Sequence, residues 1–420
     1  MCPHLGYNYT ATAFGDVQSP SLTYYAESED GVDWVKPELG LVDWMGSKAN
    51  NIVVSTNTDP NRGVFLDTHE TNSSRKFKMF GAIGTAGSVT TGSRRGGVAT
   101  LVSADGVHWS GLAMATSMDV AADTANNALF DPHLGKYIAF SRNHCTSSAC
   151  NESGWGNRRE TWSTSATWST DTWSKATESL HGENGYEIYS MVPFRGPDWT
   201  PGLYVGLGSF FETTNPEGYV KCELCRSTDY GKTWERLAPH QQFIPLGDPG
   251  AFDSHTCYAA PPILDPADPK TTLLYYAGGD GPHSGHGAER GRANFMARAT
   301  AATDGFAGVA ATDPATGGEL RSQPFSLSGA SLRLRIAGDK AGPAAVTVHV
   351  EATDGTLLLA GGASSTASLS AAGGDSEEVV VQWSVGLDAA QAMVDQHAGA
   401  DVVLKVGIRR GTLFSFAFEE

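Results

Sequence analysis

Ser227-Thr228-Asp229-Tyr230-Gly231-Lys232-Thr233-Trp234 is the fullest copy of a phrase that recurs along this chain of 420 residues. The same order stands at Ser28-Glu29-Asp30-Gly31-Val32-Asp33-Trp34 and at Ser103-Ala104-Asp105-Gly106-Val107-His108-Trp109. A drifted copy reads Ser169-Thr170-Asp171-Thr172-Trp173, and an echo stands at Thr303-Asp304-Gly305-Phe306. A tight turn between strands needs a short oxygen-bearing side chain that accepts from its own backbone, and a glycine that adopts positive φ; Ser, Asp and Gly supply both. The aromatic end then packs the turn against a neighbouring sheet. The aspartates of the phrase therefore read as turn formers and not as catalysts. Successive aromatic ends lie 75, 64, 61 and 72 residues apart, the length of one four-stranded antiparallel sheet with its loops, which is the unit of a β-propeller. Five marks predict five blades.

Composition agrees with an all-β chain. Forty-nine glycines, ten tryptophans and thirteen tyrosines suit strands and turns, and the best helical stretch is the short segment 388–398. A formal charge of −17 argues against a phosphate backbone as partner. There is no run of about 18 apolar residues to cross a membrane, and the opening Met1-Cys2-Pro3-His4 lacks the features of a signal peptide. Cys222-Glu223-Leu224-Cys225 is half of a zinc pattern without its second half, so no metal or cofactor is expected. Cys145 and Cys150 bracket a Ser-rich loop that a disulfide could close. Sequons at Asn8, Asn72 and Asn151 lean toward a secretory route.

Each interval between marks repeats one order: an acid-bearing segment, an aromatic strand, a loop, and a strand running into the next mark. Asp67 precedes Arg75–Phe80, Asp123 with Asn126 precedes Lys136–Phe140, Glu187 with Tyr189 precedes Leu203–Leu207, and Asp253 with His255 precedes Thr272–Tyr276. The first strand of each blade lines the central channel, so acids at one phase of the repeat converge on one axis. The first repeat, with Tyr7–Thr10 and Ser21–Tyr25, shows no innermost strand; either the last segment supplies it or the chain as given has lost its beginning. Beyond Gly318, tryptophan and tyrosine nearly vanish, and clean alternation in Leu332–Ile336, Val346–Val350 and Phe414–Phe418 predicts a β-sandwich. The expected domains are a propeller at 1–318 and a sandwich at 319–420, with the Gly-, Ala- and Ser-rich tract 360–375 as a loop.

Asp33-Trp34-Val35-Lys36-Pro37, Gly46-Ser47-Lys48-Ala49-Asn50-Asn51, Tyr275-Tyr276-Ala277-Gly278-Gly279-Asp280-Gly281-Pro282-His283 and Leu413-Phe414-Ser415-Phe416 together resemble proteins labelled glycoside hydrolase family 32 amino-terminal domain-like. These are grouped with the invertases, levansucrases and arabinanases, five-bladed furanosidase propellers, and in family 32 a sandwich follows the propeller. The Trp-Met-Asn-Asp-Pro-Asn, Arg-Asp-Pro and Glu-Cys motifs of family 32 are not present here as such. The resemblance thus implies an axial acidic pocket suited to a sugar, without sucrose or fructan specificity.

Glycoside hydrolysis needs one protonated carboxyl at the leaving oxygen and one ionised carboxylate. By position in the repeat, Asp67 is the expected base or nucleophile, Asp123 the carboxylate that orients hydroxyls and tunes its neighbour, and Glu187 the general acid. Asn126, Tyr189, Asp253, His255, Asp280 and His283 are the expected sugar contacts. Trp44, Trp155, Trp199 and Tyr258 are stacking candidates, and Arg142, Arg158 and Arg159 could recognise an anionic sugar. Asp131-Pro132-His133 reads as a turn. The rival reading is a glycan-binding or scaffold propeller without turnover. A sialidase is a third, which five marks and scattered arginines disfavour.

Overall fold

A computed structural model describes residues 21–56, 62–82, 90–91, 94–95, 97–120, 126–144, 158–168, 172–183, 185–195, 201–215, 217–283, 293–303, 305–339, 342–365 and 376–419. The protein is all-β, with one α-helix among the described residues. By contacts it divides into two compact units, one of residues 1–262 with 274–299 and one of residues 263–273 with 300–420. The second unit thus begins ahead of the composition change at 319.

In the first unit the described strands fall into five successive groups, the last two of which belong to one eight-stranded sheet, beside a small pair of Thr90–Thr91 with Arg94–Arg95. The first pairs Ser21–Tyr24 with Ile52–Thr56; the second orders Arg62–Leu66, Phe77–Ala82, Val98–Ser103 and Trp109–Met114; the third orders Asn127–Asp131, Lys136–His144, Arg158–Ser165 and Thr177–His181. The fourth holds Tyr186–Arg195, Tyr204–Glu212, Val220–Ser227 and Glu235–Arg236, and the fifth Thr256–Ala259, Thr271–Gly279 and Asn294–Ala302. One parallel pairing, Val220 with Thr256, joins the last two.

Each sheet packs on the next through side chains that alternate to its buried faces. Val53 and Val54 of the first meet Met79 and Leu101 of the second. Phe80 and Val98 of the second meet Tyr137, Trp168 and Trp173 of the third. Phe140 and Ile138 of the third meet Ile188, Tyr204 and Trp234 of the fourth. The fifth reaches the first, where Tyr275 donates to the Gly31 carbonyl at 2.8 Å and meets Trp34 edge-on at 5.7 Å.

The recurring phrase does what its residues imply. In the three copies described in full, the Ser hydroxyl accepts from the glycine N–H at 2.8, 2.9 and 2.9 Å, and the Asp carboxylate accepts from backbone N–H groups beyond it. Gly31, Gly106 and Gly231 have φ of 71°, 78° and 78°.

Cys222 and Cys225 sit three apart on one strand, so their side chains point to opposite faces and do not share a ligand. Cys222 forms a disulfide with Cys257 of the fifth sheet, Cα atoms 5.8 Å apart. Cys225 stays a buried thiol, its pKa pushed up to about 12 by burial and by Glu223 beside it. Closing a loop with a sequence separation of 35 is worth about 4 kcal/mol in chain entropy. Replacing both partners by alanine is expected to lower unfolding stability by that order, read as a shift of the urea midpoint. Cys145, Cys150, Asn8 and Asn151 lie outside the described residues.

Glu223, on the same strand, is fully buried. Its carboxylate accepts from Arg236 at 2.8 and 3.1 Å, from the Tyr186 hydroxyl at 2.7 Å and from the His240 N–H at 3.0 Å. Arg236 also pairs with Glu183 and lies 4.4 Å over the Phe210 ring.

In the second unit two antiparallel sheets share one core. One orders Val309–Ala310, Gly411–Glu419, Ser331–Gly338 and Glu377–Val380; the other orders Gly318–Arg321, Asp401–Arg409, Ala344–Ala352, Leu357–Ser365 and Gln382–Trp383. Leu332, Leu334 and Ile336 from the first meet Val346, Val348, Val350, Leu404 and Val406 from the second, each fully buried side chain contributing roughly 1.5–3 kcal/mol. The expected helix forms at Leu387–Gln396, after Gly386 at φ 79°, and places Ala390 and Val394 in this core. Residues 360–365 belong to the strand Leu357–Ser365 and not to a loop: they pair with Ala344–His349, through backbone hydrogen bonds that need no particular side chain.

Candidate functional site

Three edge strands, Arg62–Leu66, Asn127–Asp131 and Tyr186–Arg195, stand side by side. The Gly63 N–H donates to the Asn126 carbonyl at 2.7 Å, and Asn127 Nδ2 to the Met191 carbonyl at 2.8 Å. A Cβ on Gly63 would come within 2.7 Å of the Asn126 carbonyl and the Asn127 side chain, so only glycine allows this approach. A cavity of about 240 Å³ opens where these strands end, lined by Leu66, Asp67, His69, Phe130, Phe194, Arg195 and Pro261 among others.

Asp67 therefore lies at the finish of its strand, after Leu66, and not at the start. Its Oδ1 accepts from the His69 and Glu70 N–H groups at 3.0 and 3.2 Å, and its Oδ2 accepts from the Tyr137 hydroxyl at 2.7 Å, with Lys78 Nζ 3.8 Å away. Asp131 holds the same place one sheet on, accepting from the Leu134 N–H at 2.9 Å and from the Tyr204 hydroxyl at 2.7 Å. Each carboxylate caps its own turn and anchors a tyrosine of the following sheet. This corrects the expectation that Asp67 shares its phase with Asp123, Glu187 and Asp253: its counterpart is Asp131. Glu187 stands at the opening of its strand, six residues before Pro193, which lines the cavity together with Asp67.

Asp253 also anchors a tyrosine, its Oδ2 accepting from the Tyr276 hydroxyl at 2.8 Å. Burial first, and then these carboxylates, push the phenols of Tyr137, Tyr204 and Tyr276 well above the ordinary value of 10.0. A group raised on folding contributes stability that is whole below its unfolded value and is lost as pH climbs beyond it. Alkaline destabilisation is thus expected to set in near pH 10. Tyr204→Phe is expected to cost about 2 kcal/mol at neutral pH and to flatten part of that alkaline loss in urea titrations.

The other end of the edge strands gathers a different set. In Tyr186–Arg195 the pairing register slips between Ile188, opposite Phe210, and Ser190, opposite Ser209, leaving Tyr189 as an extra residue. Such a bulge re-aims a side chain. The Tyr189 ring meets His283 edge-on at 4.5 Å and Tyr258 at 5.4 Å. The Arg142 guanidinium lies 4.5 Å from its centroid, and Arg158 lies 5.8 Å from it and 5.3 Å from the Phe211 ring. Arg158 donates to Glu187 Oε2, and Glu187 is 6% exposed. The Tyr258 hydroxyl is 2.5 Å from His283 Nδ1, and the His283 N–H donates to the Gly218 carbonyl at 3.0 Å.

Glu187, Tyr189 and His283 are thus brought together, with Tyr258, Arg142 and Arg158. His255 stands apart, stacked on Tyr219 at 5.2 Å, with Ser254 at 2.9 Å and Glu217 at 3.4 Å from its ring nitrogens. Asp280 accepts from the Ala293 N–H at 2.8 Å, at the base of the loop that carries His283. Asn126 is buried and leads into the strand Asn127–Asp131. Arg159 turns to the opposite face, toward Glu178 at 3.2 Å. Asp123, Trp155 and Trp199 lie outside the described residues. Phe211 and the fully buried Glu160 were not singled out from the sequence; alternation through Arg158-Arg159-Glu160-Thr161-Trp162, which sets Arg158, Glu160 and Trp162 on one face, is the signal that finds the second.

No protein-family model matches the chain, and no curated protein matches it. Among solved structures, it is similar to an N-acetylgalactosamine deacetylase from F. plautii in complex with blood group B trisaccharide, at 15% identity over 66% of this chain and 80% of that one, TM-score 0.45. It is similar to a glycoside hydrolase family 43 arabinoxylan arabinofuranohydrolase from Bacillus subtilis in complex with cellotetraose, at 11% identity over 100% and 92%, TM-score 0.41. A fructofuranosidase from Schwanniomyces occidentalis complexed with fructose matches at 8% identity over 98% and 90%, TM-score 0.41.

Proposed function

We propose that the five strand groups of the first unit are the blades of a five-bladed β-propeller, that the second unit is a β-sandwich, and that the protein is a glycoside hydrolase. Its site is the end of the channel where the edge strands begin. The observation that carries this reading is the bulge at Tyr189, which sets its ring against His283 and the guanidinium groups of Arg142 and Arg158, the second of which holds the Glu187 carboxyl. Aromatic faces with a few convergent polar groups suit a sugar ring, and a carboxyl among them suits proton transfer at a glycosidic oxygen. Glu187 is the proton-transferring carboxyl. Tyr189, Tyr258 and Phe211 supply apolar surface, and His283 and Arg158 address hydroxyls. Asp123, four residues before the neighbouring edge strand, takes the place of Asp67 as the second carboxyl. Asp67 and Asp253 are structural anchors in this reading, and Asn126, His255 and Asp280 shape the surrounding loops.

One feature favours glycan binding without turnover: Arg158 already holds Glu187. Incubation with a panel of aryl furanosides and pyranosides, fructans and arabinans separates the two. Reducing-sugar or aryl release supports the hydrolase. Saturable binding of a glycan by calorimetry without release supports the binding module, and neither result sinks both.

A further inference from the structure

Glu160 stands out among the titratable groups of the described residues. It is completely buried, and neither carboxyl oxygen has a hydrogen-bond partner. An unmet buried carboxyl is costly and calls for a reason. Its surroundings supply one. Arg142 stands directly opposite in the strand pairing, and Arg158 is two residues earlier on the same strand and the same face. Arg142 does not bond Glu160: it lies over the Tyr189 ring and donates to the Tyr189 carbonyl at 3.4 Å. Glu187 faces the group from the neighbouring sheet through Arg158. Leu180 stands opposite on the remaining side, while Glu178 and Arg159 point to the other face of the sheet.

We infer that Glu160 is the positioning residue of this site, a carboxyl whose proton decides whether Arg142 rests on Tyr189 or turns back to pair with Glu160. For its effect on turnover the inference rests on the glycosidase reading. Burial pushes this carboxyl well above the ordinary glutamate value of 4.5, against the pull of Arg142. While it is protonated, Arg142 is left to brace Tyr189, and Arg158 to hold Glu187. Once it ionises, an Arg142–Glu160 pair forms in a medium of low dielectric, where such pairing is strong, and the brace is withdrawn. For an acid raised on folding, stability is whole below pH 4.5 and falls as pH rises toward the folded value, by up to about tenfold in the folding constant per pH unit for one proton.

The test compares the full chain with Glu160→Gln, which keeps shape and removes the proton. Urea stability and near-UV dichroism of the tyrosines are followed between pH 4.5 and 9. The wild type is expected to lose stability with the slope of one proton up to the pH at which the folded carboxyl ionises, and there to level off as its tyrosine signal changes; Glu160→Gln is expected to lose that slope and show a constant signal. A uniform change of stability at every pH, with the slope unaltered, overturns the inference and marks Glu160 as merely structural. Should Glu160→Gln not fold, carbon-13 titration of the wild-type glutamates decides, and no carboxyl titrating above about pH 6 overturns it. These readouts need no substrate. Inactive protein with the Glu160 titration intact sinks the glycosidase and leaves this inference standing, whereas active protein without it does the reverse.

Discussion

If the protein is the proposed glycosidase, Glu187→Gln is expected to lower turnover about a thousandfold, the scale of a lost proton-transferring group, while Asp67→Asn is expected to leave kcat within a few-fold and to lower thermal stability instead. The contrast is the sharpest consequence of the geometry. Both residues are buried acids, Glu187 on an edge strand and Asp67 just after one, and spacing alone ranks them equally. Glu187 is held by Arg158, which lies near the Tyr189 ring that His283 meets, whereas Asp67 is engaged by two backbone N–H groups and the Tyr137 hydroxyl. Steady-state kinetics on whichever glycoside is released, with a melting curve for each variant, checks both halves. Equal loss of kcat in the two variants would return Asp67 to the chemistry.

Arg236→Met is expected to destabilise the first unit by roughly 3–5 kcal/mol, the cost of leaving a buried carboxylate without its partner. Methionine retains most of the apolar contact with the rings of Phe210 and Tyr186, so the loss isolates the charge. Glu223, fully buried, keeps only the Tyr186 hydroxyl and the His240 N–H. Adding Glu223→Gln to Arg236→Met should recover part of the loss, because a neutral amide tolerates that environment. Urea denaturation of both variants gives the numbers, and an undiminished loss in the double variant would mean that Arg236 acts through packing.

Local chemistry was readable and long-range placement was not. The Ser227 to Trp234 phrase declares its turn because hydroxyl, carboxylate and glycine lie within five residues of one another. The alternation of Leu332–Ile336 and Val346–Val350 declares a half-buried strand for the same local reason. Asp67 misled because the strand before it, Arg62-Gly63-Val64-Phe65-Leu66, is short and contains a glycine demanded by a neighbour 63 residues away in sequence. Counting forward to the next aromatic run then gave it the phase of an opening residue. The Cys222–Cys257 bond was hidden behind a nearer cysteine on the wrong face. Glu160 and Phe211 depend on which side of a strand meets the next sheet, a fact settled only when the sheets assemble. Glu187, Tyr189 and His283 were named from the sequence, but the bulge that unites them belongs to the register of two strands and leaves no mark in either alone.

The carboxylates of Asp67 and Asp131 each serve two sheets at once. A chain of repeats invites the idea that one repeat can be exchanged for another as a self-contained part. These aspartates say otherwise: the tyrosine that completes a turn is encoded about 70 residues downstream, in the next repeat. What can be transplanted without damage is a junction, half of one repeat with half of its successor. A chimera cut inside the sheets is therefore expected to fare better than one cut cleanly between them, and the natural unit of exchange in such a chain straddles the repeats that the eye picks out.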